Sequence, residues 1–239
     1  MDIVSKICRI LLISFGWKPF YSPEQRKLNK SVVVISHTSI WDAIVFVVYK
    51  LAYPEWLGHA KIVVKTEIYD VCPEFVQNIL NQMGFVRAPS YAVKNGGFVN
   101  ATAESLQNLK SYMFLISPKG MRDVGPWRTG YYVIAQKLNV DIMAGGLDFE
   151  KKKIVFYEPI SIKDKTKEQV EKILRDQIGQ IVPLYPNCSE VDLRKYSPEN
   201  VSLFSLSHVL ILVLVTGIFL YLYNKTTFII CLIFFVLLI

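Results

Sequence analysis

The sequence has few cysteines, and none of them lies in an arrangement that supports cysteine chemistry. The four are far apart along the chain, at Cys8, Cys72, Cys188 and Cys231. Structural zinc sites and dithiol redox sites need closely spaced pairs of ligands, so neither kind of site is predicted. Internal repeats and low-complexity linkers are also lacking, which excludes solenoid architectures and long flexible spacers.

Acidic residues are fewer than basic ones: 20 Asp and Glu stand against 27 Lys and Arg, for a formal net charge of +7. A basic balance favours an anionic partner, either nucleic acid or a bilayer surface. The basic residues are scattered among apolar segments without an Arg-rich tract or zinc-finger spacing, which favours the membrane over nucleic acid. With 52% apolar residues, the chain is too hydrophobic for an ordinary cytosolic domain and for a disordered or fibrous protein.

A hydrophobic run without Asp, Glu, Lys or Arg lies near the C-terminus, in residues 206–223, and residues 228–239 continue it after a polar break. As helices these segments would span about 27 Å and about 18 Å, against a hydrocarbon core of about 30 Å. We therefore expect a hydrophobic membrane hairpin. The sequence leaves open whether its second arm crosses fully, and a buried hairpin of the globular core is the alternative.

These features divide the chain into three predicted parts. Residues 1–20 form an amphipathic helix that either lies at a membrane interface or packs against the domain. Residues 21–200 form the globular domain, and residues 204–239 form the membrane anchor. Arg194 and Lys195, just before the anchor, favour a membrane protein whose globular domain faces the cytosol.

The central part of the chain alternates short β-branched runs with helical patterns. Near-continuous apolar runs are typical of strands buried on both faces, and the intervening stretches are long enough for crossover helices. The predicted fold class is α/β, a mostly parallel mixed sheet flanked by helices. The predicted strands are 32–35, 61–64, 113–116, 141–143 and 154–157, with a short one beginning near 85, and the predicted helices are 3–15, 40–53, 71–83, 97–109, 129–138 and one opened by the Thr166-x-x-Gln169 capping box.

The turn after the first strand carries the main candidate for catalysis, His37 and Asp42. In open α/β sheets, ligands bind beyond the carboxyl ends of the strands, which is where this turn lies. With His37 in the loop and Asp42 in the first helical turn, the carboxylate can fold back, fix the imidazole tautomer and stabilise the imidazolium, which makes a general base. A purely structural interpretation also exists, because Ser39-x-x-Asp42 is an N-terminal capping pattern.

A second group of candidates would bind substrate. Pro118 and Gly120 frame a tight turn at the end of another apolar strand, and this turn exposes Lys119 and Arg122. A guanidinium binds phosphate through two hydrogen bonds, and an ammonium and backbone N–H groups strengthen an anion site. Arg87, Gly120 and Ser39 complete the predicted substrate-binding set; a solvated basic turn and an ordinary surface arginine are the alternatives.

Taken together, residues 32–159 resemble the glycerolipid acyltransferase family that includes lysophosphatidic acid acyltransferase. His37 and Asp42 match its H-x-x-x-x-D block, residues 84–87 loosely match its glycine-and-arginine block, and residues 118–122 match its P-E-G-T-R block. Residues 158–160 and 127–132 resemble two further stretches of the family. Lys119 stands where the family usually has Glu, and Met121 where it usually has Thr.

The resemblance implies an O-acyltransferase of phospholipid biosynthesis that needs no metal. It further implies acyl-CoA or acyl carrier protein as donor, a lysophospholipid acceptor at the membrane, a His37–Asp42 dyad, and Arg122 at the acceptor phosphate. Because a lysine cannot accept a hydrogen bond from a glycerol hydroxyl, Lys119 leaves the acceptor open. The alternatives are an acyltransferase for another polar acceptor and a catalytically silent lipid-binding or scaffold protein of the same fold.

Overall fold

The structure is a computed structural model. It describes residues 3–20, 30–70, 72–88, 97–119 and 126–185. All of them lie in one compact unit of the chain. The predicted membrane hairpin and the boundary before it lie outside the described residues, so both stay predictions.

The described strands form one sheet of six, in the order β3-β2-β4-β1-β5-β6. Neighbouring strands run parallel except at one edge, where the last strand runs antiparallel to β5. The predicted α/β class with a mostly parallel mixed sheet is therefore confirmed. The strands are β1 (Lys30–Ile35), β2 (Ala60–Lys65), β3 (Phe85–Ala88), β4 (Tyr112–Ile116), β5 (Asp141–Asp148) and β6 (Lys153–Phe156).

Helices cover both faces of the sheet. They are α1 (Ile3–Ser14), α2 (Ile40–Ala52), α3 (Pro54–Leu57), α4 (Thr66–Asp70), α5 (Glu74–Gln82), α6 (Gly97–Gln107), α7 (Gly130–Leu138) and α8 (Lys167–Ile178). In the described part of the chain, none of the helices is long and apolar enough to cross a membrane.

The core has two layers because successive side chains of a strand point to opposite faces. Val32 and Val34 of β1 are fully buried in a cluster with apolar residues of α6, α7 and α8. Val33, between them, is also fully buried. On the second layer, α1 packs against α2, and the Trp17 ring makes edge contacts with Tyr49 of α2 and with Phe149 at the end of β5.

The connections that follow the neighbouring parallel strands β1 and β4 cross the sheet in opposite directions. From β1 the chain passes through α2 to β2, whereas from β4 it passes through α7 to β5, on the other side of β1. Right-handed crossovers that step in opposite directions place their helices on opposite faces of the sheet. α/β sheets bind ligands at such a switch point, so we expect a crevice beyond the carboxyl ends of β1 and β4.

Lys50 ties the end of α2 to the start of β2. Its side chain is buried, and Nζ donates to the carbonyl oxygens of Leu57, Gly58 and Ala60 at 3.1, 2.7 and 2.8 Å. Burial, and then the like charge of Lys61, lowers the pKa of Lys50 to about 8. The ammonium therefore satisfies three carbonyls at a cost in desolvation.

Gly84 brings the segment before β3 against the start of β2. Its φ is +81°, and its carbonyl oxygen accepts from the Ile62 N–H at 3.0 Å. A Cβ at this position would lie 2.6 Å from the backbone oxygen of Ala60. This position requires a left-handed backbone and leaves no room for a Cβ, and only glycine meets both conditions without strain.

Candidate active site

His37 and Asp42 are in contact in the structure. His37 lies in the short loop between β1 and α2, and Asp42 lies in the first turn of α2. The distance from His37 Nδ1 to Asp42 Oδ2 is 3.3 Å, and the side chains are 21% and 10% exposed. An imidazole that turns Nδ1 toward a carboxylate keeps Nε2 as its basic atom, so the geometry is that of an oriented general base.

The same carboxylate oxygen also caps α2. Asp42 Oδ2 accepts from the backbone N–H groups of Thr38 and Ser39 at 2.7 and 2.9 Å. Ser39 Oγ accepts from the Trp41 N–H at 3.0 Å and also from the Asp42 N–H, and this second bond completes a capping box between Ser39 and Asp42. The capping and catalytic interpretations of the sequence are therefore compatible, because the cap holds the carboxylate where it meets His37.

Ser39 has a structural role in this arrangement. The residue is buried, and its hydroxyl is engaged with the helix start. Its predicted contact with substrate stays a prediction. Thr38, which the sequence did not single out, is fully buried, and its Oγ1 accepts from the Tyr185 N–H at 3.4 Å.

The segment that contacts Thr38 follows α8. It is fastened to the end of β5, where the Phe149 N–H donates to the Val182 oxygen at 2.7 Å, and Leu184 beside Tyr185 is buried. The segment therefore supports the His37 turn from the β5 side. No sequence signal links residues so far apart, which is why this support was missed.

The turn after β4 lies one strand away from the dyad. The register pairs Val34 of β1 with Ile116 of β4. The turn that starts at Ser117 is therefore level with Ile35, and the two strands are about 5 Å apart. Pro118 is buried, and its oxygen accepts from the Arg128 N–H at 2.9 Å. Lys119, predicted to bind an anion, is thus brought to the same edge as His37.

The other predicted substrate-binding residues are not placed beside His37 by the structure. Gly120 and Arg122 lie outside the described residues. Arg87 is on edge strand β3, three strand spacings or about 14 Å from β1. Its guanidinium donates to Asp70 Oδ2 at 2.6 Å, and both side chains are about half exposed. Arg87 therefore lies away from the dyad and already has an acidic partner.

Comparison of the chain with protein-family models, with curated proteins and with solved structures finds no match. In the described ranges, no group of three His, Cys, Asp or Glu residues is placed to hold a metal ion. The turns after β1 and β4 therefore form the candidate functional site.

Proposed function

We propose that the protein is a membrane-bound O-acyltransferase that moves a fatty acyl group from a thioester donor to the hydroxyl of a lysophospholipid. The observation that carries the proposal is the contact between His37 Nδ1 and Asp42 Oδ2, at 3.3 Å, at the carboxyl end of β1 next to β4. The motif resemblance supplies the reaction class and acyl-CoA or acyl carrier protein as the donor.

In this mechanism His37 Nε2 removes the proton of the acceptor hydroxyl as its oxygen attacks the thioester carbonyl. Asp42 orients the ring and stabilises the imidazolium that forms. The thiolate leaves and takes the proton from His37. Because the acceptor oxygen attacks the thioester directly, no acyl-enzyme is needed. The N–H groups of Thr38, Ser39 and Trp41 are engaged within the turn, so the oxyanion is not assigned to them.

The acceptor would bind on the β4 side of the crevice. Lys119 provides positive charge one strand from His37, and Gly120 and Arg122 of the same motif are proposed to complete an anion site for the acceptor's phosphate. The hydrophobic segments at residues 206–223 and 228–239 are proposed to hold the domain at the bilayer, on the cytosolic side, where acceptor and product reside.

The decisive experiment incubates the membrane-bound protein with mixed lysolipids and oleoyl-CoA and identifies products by mass spectrometry. We expect an acylated lysophospholipid, and we expect His37→Ala to lower its rate of formation by about 10² to 10⁴. Undiminished transfer by this variant would reject the dyad. The lipid panel also identifies the acceptor, including acceptors other than lysophosphatidic acid.

A catalytically silent lipid-binding protein is the second candidate. The observation in its favour is that capping by itself accounts for Asp42, since two backbone N–H groups donate to Oδ2 at shorter distances than His37 Nδ1. This candidate predicts no acylated product with any lysolipid of the panel. It also predicts that lipid binding is unchanged in His37→Ala.

A further inference from the structure

Exposed large apolar side chains are concentrated on α1. Of the four that the described ranges contain, three are on this helix: Ile3, Ile10 and Ile13 are 72%, 64% and 58% exposed. Exposed Lys6 lies between them in sequence. At 3.6 residues per turn, these four positions fall within an arc of about 80°, so they form one stripe along the helix. We call them the α1 stripe.

The α1 stripe faces outward because the other side of the helix is fixed. Ser5, Cys8 and Leu12 are buried on the roughly opposite side. Arg9 donates to the Ala52 oxygen at 2.7 Å and to Glu55 Oε1 at 2.6 Å. These contacts hold α1 on the domain, so the helix cannot roll to bury its isoleucines.

Lysines gather at the C-terminal end of the stripe, where α1 meets the turn between β5 and β6. The Lys18 N–H donates to the Lys152 oxygen at 2.7 Å, and Lys152 Nζ donates to the Phe15 oxygen at 3.2 Å. Lys18 and Lys151 are exposed. Asp148, which pairs with Lys151 at 3.5 Å, is itself almost completely buried. Lys18, Lys151 and Lys152 outnumber Glu150, the partly exposed acidic residue of the same turn, so the surface at this end of the stripe is basic.

We propose that the α1 stripe docks on an anionic lipid bilayer, with its isoleucines in the upper acyl region and Lys18 and Lys151 at the headgroups. An amphipathic helix with a basic flank binds anionic membranes in this way. Lys6 favours a bilayer over a second copy of the chain. At a membrane its long stem reaches a phosphate, whereas in a stripe-to-stripe dimer its charge would be buried. The inference does not depend on acyl transfer.

The test uses the full chain, reconstituted in vesicles that contain a phospholipid with a photoreactive diazirine in its upper acyl chain. One vesicle set is rich in phosphatidylserine and the other contains only phosphatidylcholine. After irradiation and digestion, mass spectrometry gives the fraction of α1 peptide that carries lipid. We expect labelling of α1 in the anionic vesicles, and a lower labelled fraction in the neutral ones.

Variants assign this labelling to the stripe. Ile10→Ser with Ile13→Ser should reduce it by about tenfold, since two apolar side chains leave the acyl region. Lys18→Gln with Lys151→Gln should reduce it by about fivefold for each lysine, and only in anionic vesicles. The matched control replaces two exposed lysines of the opposite helical layer, Lys137→Gln with Lys172→Gln, and should leave the labelling unchanged.

An unlabelled α1 peptide in anionic vesicles would overturn the proposal. So would equal losses in the lysine variant and its control, which would indicate a general charge effect. A bifunctional amine reagent that links Lys6 of one copy to Lys6 of another, with no lipid on α1, would identify the stripe as a dimer surface instead. Circular dichroism verifies that each variant keeps its helical content. None of these outcomes depends on whether the protein transfers acyl groups.

Discussion

Asp42 meets two requirements through one oxygen atom, since Oδ2 caps α2 and contacts His37. Asp42→Asn separates them. An asparagine oxygen can still accept from the Thr38 and Ser39 N–H groups, but the side chain has no negative charge with which to stabilise an imidazolium. We expect acyl transfer to fall by about 10² or more, with a small loss in the free energy of unfolding. Product formation and urea denaturation measure the two effects.

Thr166→Ala is the matched control for loss of a cap. Thr166 and Gln169 form the same kind of capping box at the start of α8. Removing the hydroxyl should lower the free energy of unfolding by about 0.5 to 2 kcal/mol and leave acyl transfer unchanged. If Asp42→Asn loses only stability, as this control does, Asp42 is a cap and the catalytic assignment fails.

The lowered pKa of Lys50 leads us to expect that its contribution to the free energy of unfolding depends on pH. Its pKa is lowered from 10.5 to about 8 in the folded state, so between these values the unfolded chain holds a proton that the folded chain has released. Stability rises with pH wherever the unfolded state binds more protons. The free energy of unfolding of the wild type, relative to Lys50→Met, should therefore increase from about pH 7 to about pH 10.

The same variant leaves three carbonyl oxygens without their donor, and the bonds to two of them, those of Leu57 and Ala60, are buried. Lys50→Met should consequently be destabilised at neutral pH by at least about 2 kcal/mol. Exposed Lys172→Met of α8 controls for the removal of an amine. A difference between wild type and Lys50→Met that stays constant with pH would contradict the lowered pKa.

At the scale of elements, the approach of β3 to β2 depends on Gly84. Gly84→Ala should lower the free energy of unfolding by about 1 to 2 kcal/mol for the left-handed backbone alone, and further because the new Cβ would lie 2.6 Å from the Ala60 oxygen. Gly130→Ala is the control, since its Cβ would meet only Val99 Cγ2 at 3.9 Å, at the start of α7. It should be neutral or stabilising by up to about 1 kcal/mol. Thermal or urea unfolding of both variants measures the contrast.

The sequence predicted the strands whose residues are continuously apolar, and was less successful elsewhere. Only residues 141–143 of β5 were predicted, because Gly145 and Gly146 interrupt its apolar pattern, whereas the strand runs to Asp148. The short helices α3 and α4 were not predicted, since neither is long enough to show a helical period.

In the candidate site, contacts between residues close in sequence could be predicted, whereas contacts between residues far apart in sequence could not. The contact between His37 and Asp42 could be predicted because the two residues lie in one turn, whose chain geometry leaves few choices. The pairing of β1 with β4 and the support of Thr38 by Tyr185 join residues far apart in sequence. Such contacts depend on tertiary packing, which periodicity does not encode.

At the scale of the whole molecule, deletion of residues 206–239 tests the proposed anchor. The full chain should stay with the membrane in alkaline carbonate, because an inserted apolar segment resists extraction. The truncated chain should be released by carbonate, yet it should still sediment with anionic vesicles at low salt through the α1 stripe. Release of the full chain by carbonate would contradict the anchor. Circular dichroism of the truncated chain shows whether the domain remains folded.

The hydrogen bond from the Arg128 N–H to the Pro118 oxygen brings together the two ends of the chain between these residues. Trp127, next to Arg128, is buried in the core against Tyr131 and has to be kept. The dyad is built on a different strand connection, so residues 120–125 can be exchanged for segments of other length and charge while His37 stays in its turn. Changing the acceptor of the proposed acyltransferase would therefore begin with this segment and leave the sheet intact.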